Sequence, residues 1–350
     1  MENIAEWHSL IILFFALILI VSSIVKEINL VYYFLVFLFF CFFVFIGLRD
    51  VNSGSDTITY INYYNQSLGG EKLFEPVFEL IINFSRFIGL SDHQFILFIF
   101  IITFSFLFFS ALSYENMFVA PVFIVFFIST VTGFDLLINA IRNGLSISIC
   151  TFAVLKYKRL RFYGYFLFII FASFVHTSAF VFLLYPFVRK FLDSEYYVKL
   201  SFCVFFSCFL LSYIGVVEKI LSFSAIDNIY IYQRISDFSV DDSNILGGAM
   251  KFYFMVISLI PIFIFYFRLS KDYSLIVLVY LLLVPYALMF QYPQSHRFSY
   301  IPYALVMFIL CKSYLNSELL LKLIVILFVV LSLVITLTTN NVANIRSILF

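Results

Sequence analysis

NLVYYFLVFLFFCFFVFIGL at positions 29 to 48 runs directly into RDVNSGSDTITY at positions 49 to 60. The first segment is as long as the roughly 20 apolar residues that a helix needs to cross the hydrocarbon core of a bilayer. The second gathers Arg49, Asp50, Asn52, Ser53, Gly54, Ser55, Asp56 and Thr57 in a chain whose charged fraction is 12%. Polarity this scarce is placed where it meets water, another polar group or a ligand. Outside this junction the same contrast repeats. Hydrophobic residues make up 64% of 350, with 51 Phe and 24 Tyr, and the mean hydropathy is +1.08. Soluble domains hold roughly 45–50% apolar residues. The sequence therefore predicts an all-α polytopic integral membrane protein, residues 1–350 forming one membrane domain, because a helix satisfies its own backbone in lipid.

Applied along the chain, the 20-residue ruler places spans near 8–25, 29–48, 94–113, 116–133, 136–155, 162–176, 177–190, 199–217, 249–267, 273–291, 299–312 and 319–339, about twelve in all. The pair at 162–190 has short arms and reads as two spans, one long span or a re-entrant hairpin. Leu73–Leu90, with Pro76 near its start and Glu79, Asn83 and Arg86 among apolar residues, predicts an amphipathic helix lying on the membrane. No cleavable leader is expected, since Glu2 and Glu6 precede the first apolar run and no basic region does.

Orientation follows from the basic loops. With Lys156, Lys158, Arg159 and Arg161 in the cytoplasm, alternation puts Lys26, Arg189, Lys190, Lys199, Arg268, Lys271, Lys312 and Lys322 there too. Two long loops, 49–93 and 218–248, then face outward, as do both termini. A net charge of +1 gives no footprint for nucleic acid. Cys41, Cys150, Cys203, Cys208 and Cys311 lie in or beside apolar runs without metal spacing, and Asp241-Asp242 lacks a second carboxylate cluster, so no metal site and no cofactor are expected.

On the outward level four polar segments are expected to converge. They are the 49–60 stretch; Asn139, Arg142, Asn143 and Ser146, spaced as one stripe of a helix starting near Asp135; His176-Thr177-Ser178; and His296-Arg297 followed by Tyr300 and Tyr303. Arg142 stands out, because an arginine inside a span costs about 2.5–3.5 kcal/mol and needs a partner or an aqueous cavity. Arg49, Arg142 and Arg297 together would suit a polyanion at headgroup depth, such as a diphosphate on an isoprenoid tail, and would stabilise its charge on departure. His176 and Asp56 are the candidates for the base that takes a proton from an attacking sugar hydroxyl. Asn139, Asn143, Tyr60, His296 and Tyr300 are candidate substrate-binding residues.

Gly47-Leu48-Arg49-Asp50, Gly54-Ser55-Asp56-Thr57-Ile58-Thr59-Tyr60, Asn139-Ala140-Ile141-Arg142-Asn143-Gly144-Leu145, His176-Thr177-Ser178-Ala179 and His296-Arg297-Phe298-Ser299-Tyr300 occur in that order. Together they resemble the EpsG-like family of polysaccharide polymerases, related to the O-antigen polymerase Wzy. The resemblance implies a metal-independent glycosyltransferase of GT-C-like architecture in the bacterial cytoplasmic membrane. It would join undecaprenyl-diphosphate-linked oligosaccharide repeat units into O-antigen or exopolysaccharide at the periplasmic face, with a chain-length regulator and a flippase as partners. Two alternatives fit the same residues: an O-antigen ligase using the same donor, and a flippase or transporter. Transport predicts polar groups along a path open to both sides, often in repeated halves; here the polarity clusters at one face and no repeat is evident.

Overall fold

The structure, a computed structural model, describes residues 55–66, 73–112, 119–216, 219, 245–291, 296–317, 322, 324–328 and 331–332. The expected spans at 8–25 and 29–48, more than half of that at 319–339, Arg49 and most of the 218–248 loop lie outside these residues. The described residues are helical and hold no strand. Three helices among them are long and apolar enough to cross a membrane, Asp92–Ala111, Glu195–Tyr213 and Arg297–Asn316, and a bent pair of shorter helices makes a fourth. The chain is thus a membrane-embedded helical protein. It divides into two compact units, one running to Leu183 and resuming at Tyr314, the other covering Leu184–Ser313.

The first unit opens with α1 (Ser55–Asn65) and α2 (Pro76–Phe87), both in the first long loop. Pro76 sits where a helix needs no N–H, which places Glu75 at the N-cap of α2. Arg86 closes α1 from below: its Nε donates to the Tyr64 carbonyl at 2.7 Å and its NH2 to the Tyr63 carbonyl, so a cation meets the negative end of the helix. Helix α2 buries Phe78, Ile82 and Ser85 and leaves Leu80, Phe84 and Phe87 exposed, so apolar side chains occupy both its faces.

Helix α3 (Asp92–Ala111) starts with a reciprocal cap, Ser91 and Gln94 each accepting the other's backbone N–H. The expected span at 116–133 is instead α4 (Val119–Ile128) followed by a turn, where Thr130 accepts from the Gly133 N–H and caps α5 (Val131–Ile138). The expected span at 136–155 is also corrected. It breaks at Asn139-Ala140, and α6 (Ile141–Leu155) leaves α5 at a bend of 110°. A hydropathy window cannot see this, because both pieces are apolar. Two glycines permit the successive turns: a Cβ on Gly133 would stand 1.7 Å from the Phe127 carbonyl oxygen, at the α4–α5 turn, and one on Gly144 1.9 Å from that of Leu136, at the α5–α6 break. Both turns need a backbone that comes closer than a side chain permits. The polar stripe expected from one continuous helix therefore does not exist as such, since Asn139 ends α5 while Arg142, Asn143 and Ser146 lie on α6.

Helix α7 (Tyr157–Val175) kinks at Arg161, whose φ is 57°, and ends at His176, which is extended. The residues that follow, Thr177–Leu184, form a 3-10 helix and lead into α8 (Tyr185–Phe191). Tyr165 donates its hydroxyl to the Phe182 carbonyl, so the two arms fold back on each other with His176 at the apex. The chain therefore reverses at His176 and does not run on as one long helix.

The second unit pairs α9 (Glu195–Tyr213) with α11 (Tyr273–Leu288), beside α10 (Ile245–Tyr266); α12 (His296–Asn316) starts within it. Asp193 and Glu195 accept from the Ser274 N–H and the Tyr273 hydroxyl, and Lys312 pairs with Asp272. The loops near 193 and 272 and the C-terminal part of α12 thus lie together at one end of this unit.

Alanine at Gly133 or Gly144 forces two backbones apart. Either variant should lose about 1–3 kcal/mol or more, as overpacked cores do, and yield less monodisperse protein in detergent, whereas Gly164→Ala, whose nearest contact would be 3.3 Å, should behave as wild type. Wild-type yields for Gly144→Ala would contradict the close crossing.

Candidate functional site

The α5–α6 break leaves helix-end groups that a membrane interior cannot hydrate. The N-terminus of α1 fills it. The Asp56 N–H donates to Asn139 Oδ1 at 3.0 Å, and Thr57 Oγ1 donates to the Ile138 carbonyl at 2.8 Å. Asn139 Nδ2 is given to Asp135 Oδ1 at 3.2 Å. Asn139 thus uses both ends of its amide within the fold, acting as a remote cap for α1. One turn further, Ser146 Oγ lies 3.0 Å from the Ala172 carbonyl and 3.4 Å from that of His176. This bond fixes the apex of the α7 hairpin against α6.

The site sits between these two clamps. Arg142 donates from NH1 to Glu75 Oε2 at 2.6 Å, and its guanidinium carbon lies 5.0 Å from the centre of the Phe74 ring. Glu75 Oε1 faces His176 Nδ1 at 3.4 Å and accepts the Thr177 N–H at 3.3 Å. The histidine contact is within ion-pair range, yet it lacks hydrogen-bond alignment, and Nδ1 counts among the buried atoms without a hydrogen-bond partner. Burial alone would raise the Glu75 carboxyl, but His176 and the Arg142 charge outweigh it and bring the pKa from 4.5 down to about 2. Tyr60 walls the other side, packed on Phe74 and Phe78 with ring centres 5.4 and 5.5 Å away. Burial pushes its hydroxyl up to about 12, against the opposing pull of Arg142.

Besides His176 Nδ1, three buried polar atoms here have no hydrogen-bond partner among the described residues: Arg142 Nε, Asn143 Oδ1 and Ser178 Oγ. Such atoms are costly unless something else engages them. They come from the two segments that the Ser146 clamp brings together. The arrangement can offer a guanidinium edge to an anion beside an imidazole whose carboxylate partner would stabilise it once protonated.

Three of the four segments expected to converge therefore do so within the first unit: Asp56 and Tyr60, Asn139 to Ser146, and His176 to Ser178. Arg297, exposed, and Tyr300, buried against Phe254 at 6.3 Å between ring centres, belong to the second unit, as does Tyr303; His296 opens α12. The residue that sequence reasoning missed is Glu75. A signal was present, because Pro76 marks a helix start and so puts an acid at its N-cap. Among the described residues no three His, Cys, Asp or Glu side chains gather as a metal site.

The family model described as EpsG family matches residues 30–348. Comparison with curated proteins and with solved structures gives no match.

Because folding lowers the Glu75 pKa, its ion pairs stabilise the protein above about pH 4.5 and lose that contribution as pH falls toward 2. Thermal unfolding in detergent should show wild type above Glu75→Gln at pH 7, with the gap closing on acidification below about 4.5. A gap that widened with acid would contradict the assignment.

Proposed function

This chain belongs to the EpsG family, and from that premise we propose that it is a polysaccharide polymerase, a glycosyltransferase that joins oligosaccharide repeat units carried on undecaprenyl diphosphate. The work would take place at the outer face of the bacterial cytoplasmic membrane and make O-antigen or exopolysaccharide. The observation that carries this reading is Arg142, held by an ion pair to Glu75 at the broken helix, with its Nε buried and without a hydrogen-bond partner among the described residues and His176 on the same carboxylate.

In this reading the donor's diphosphate meets Arg142, whose planar fork matches phosphate oxygens and stays charged. Its isoprenoid tail remains in lipid. Glu75, the resting counter-ion, then turns fully to His176 Nδ1, so that Nε2 faces the acceptor. The acceptor hydroxyl gives its proton to Nε2 as its oxygen bonds to the donor's anomeric carbon. The bond from that carbon to the diphosphate breaks, and Arg142 stabilises the charge that collects on the leaving group. Glu75 stabilises the imidazolium formed meanwhile. Asn143 Oδ1 and Ser178 Oγ, both without a hydrogen-bond partner among the described residues, would hold sugar hydroxyls, and Asp56 would orient the acceptor from the start of α1. Arg49 lies outside the described residues and Arg297 in the other unit, so the proposal rests on Arg142.

The test is the banding of surface polysaccharide in a host deleted for this gene and complemented with wild type, Arg142→Ala or His176→Ala. Wild type should restore a ladder and each variant should leave a single-repeat band, with polymer reduced at least about 100-fold for Arg142→Ala. Finished polymer stranded on its lipid carrier would point to ligation, and loss of the ladder with no single-repeat band would point to transport; either overturns the polymerase reading.

A further inference from the structure

At the end of α6 opposite Arg142, a groove of about 650 Å³ opens between α3, α6 and α7. Lys156 follows Arg142 by 14 residues, roughly 21 Å along a helix, so this groove is separate from the candidate active site. Its walls are apolar: Phe106, Phe152 and Phe168 meet in pairs with ring centres 5.6, 6.2 and 5.2 Å apart, and Ile102 and Phe109 extend the slot. At one end stand two cations, Lys156 and Arg159.

Lys156 is the unusual one. It is 7% exposed, and the charged group that acts on it is Arg159, of like sign. Among the described residues neither side chain has a carboxylate partner. Burial therefore pushes the ammonium pKa down, and Arg159 pushes it further. A buried cation without a counter-ion is expensive, and a slot lined by phenyl rings gives water few polar partners. One molecule with an anionic head and an apolar tail satisfies both ends at once. Basic pockets between membrane helices on the cytoplasmic side bind anionic headgroups for this reason, and the groove lies beside the chain's densest run of basic residues, 156–161.

We infer that this groove binds an anionic phospholipid, its headgroup phosphate held by Lys156 and Arg159 and one acyl chain lying along Phe106, Phe109 and Phe152. An inorganic phosphate would leave the slot empty, and an uncharged lipid would leave Lys156 without a counter-ion. The bound lipid would brace the junction of α6 and α7, whose far ends carry Arg142 and His176. This site does not depend on the polymerase reading.

The experiment is intact-mass spectrometry of the full-length protein in mild detergent, offered palmitoyl-oleoyl phosphatidylglycerol or phosphatidylcholine. Wild type should retain one phosphatidylglycerol in preference to phosphatidylcholine, and Lys156→Gln should cut that retention roughly fivefold, the worth of one cation at a membrane surface. Lys158→Gln removes the same charge from a residue that does not line the groove and should leave retention unchanged. Ser105→Trp fills the slot with both cations in place and should also reduce it. Equal losses in Lys156→Gln and Lys158→Gln would mean diffuse surface attraction. Full retention in Lys156→Gln and Ser105→Trp would leave the groove to a segment of the chain itself; either result overturns the proposal.

Discussion

The break between α5 and α6 is the constraint from which the site follows. A helix interrupted among apolar neighbours exposes carbonyls and N–H groups that lipid cannot satisfy, and such backbone persists only where protein or a cavity meets it. Here α1 is drawn in from the first long loop to meet it, through the Asp56 N–H on Asn139 and the Thr57 hydroxyl on the Ile138 carbonyl. With α1 in place, the 74–75 segment lies over the first turn of α6, and Glu75 reaches both Arg142 and His176. Gly144 is what lets the two backbones cross closely enough for this. Geometry set by two glycines and an asparagine thus decides where the charged groups stand.

Electrostatics then decides what the site can do. Arg142 is tolerable in this half-buried position because Glu75 neutralises it and Phe74 covers one face of the guanidinium. The same carboxylate serves His176, so one acid balances two groups to which the proposed mechanism gives opposite uses. An entering diphosphate would compete with Glu75 for Arg142 and release the carboxylate toward the imidazole. Binding of donor and activation of the base would then be a single event, with no large motion of the helices.

Much of this was legible in the sequence, and the remainder was hidden for definable reasons. The membrane class follows from composition, and membership of the EpsG family from four short motifs whose order spans most of the chain. Arg142 stands out because charge inside an apolar run is rare, and His176 because a histidine can take the proton of an attacking hydroxyl. The continuous helix at 136–155 was a wrong expectation, because hydropathy averages over the break and the spacing of Asn139, Arg142, Asn143 and Ser146 fits a helix numerically. Glu75 was missed because its importance comes from contacts 67 and 102 residues away in sequence, to Arg142 and to the Thr177 N–H. Tyr60, a candidate substrate-binding residue from the sequence, has its ring packed among Phe74 and Phe78, contacts that sequence spacing does not show.

The central claim is that Arg142 is the diphosphate-binding group and Glu75 its displaceable counter-ion. Binding of a soluble isoprenyl diphosphate to the detergent-solubilised protein, measured by calorimetry for wild type, Arg142→Gln and Glu75→Gln, tests it most directly. The account predicts that Arg142→Gln binds more weakly than wild type by at least about tenfold, as loss of a charge-assisted contact requires, and that Glu75→Gln binds more tightly because the competitor is gone. Wild-type affinity in Arg142→Gln, or weaker binding in Glu75→Gln, would contradict it.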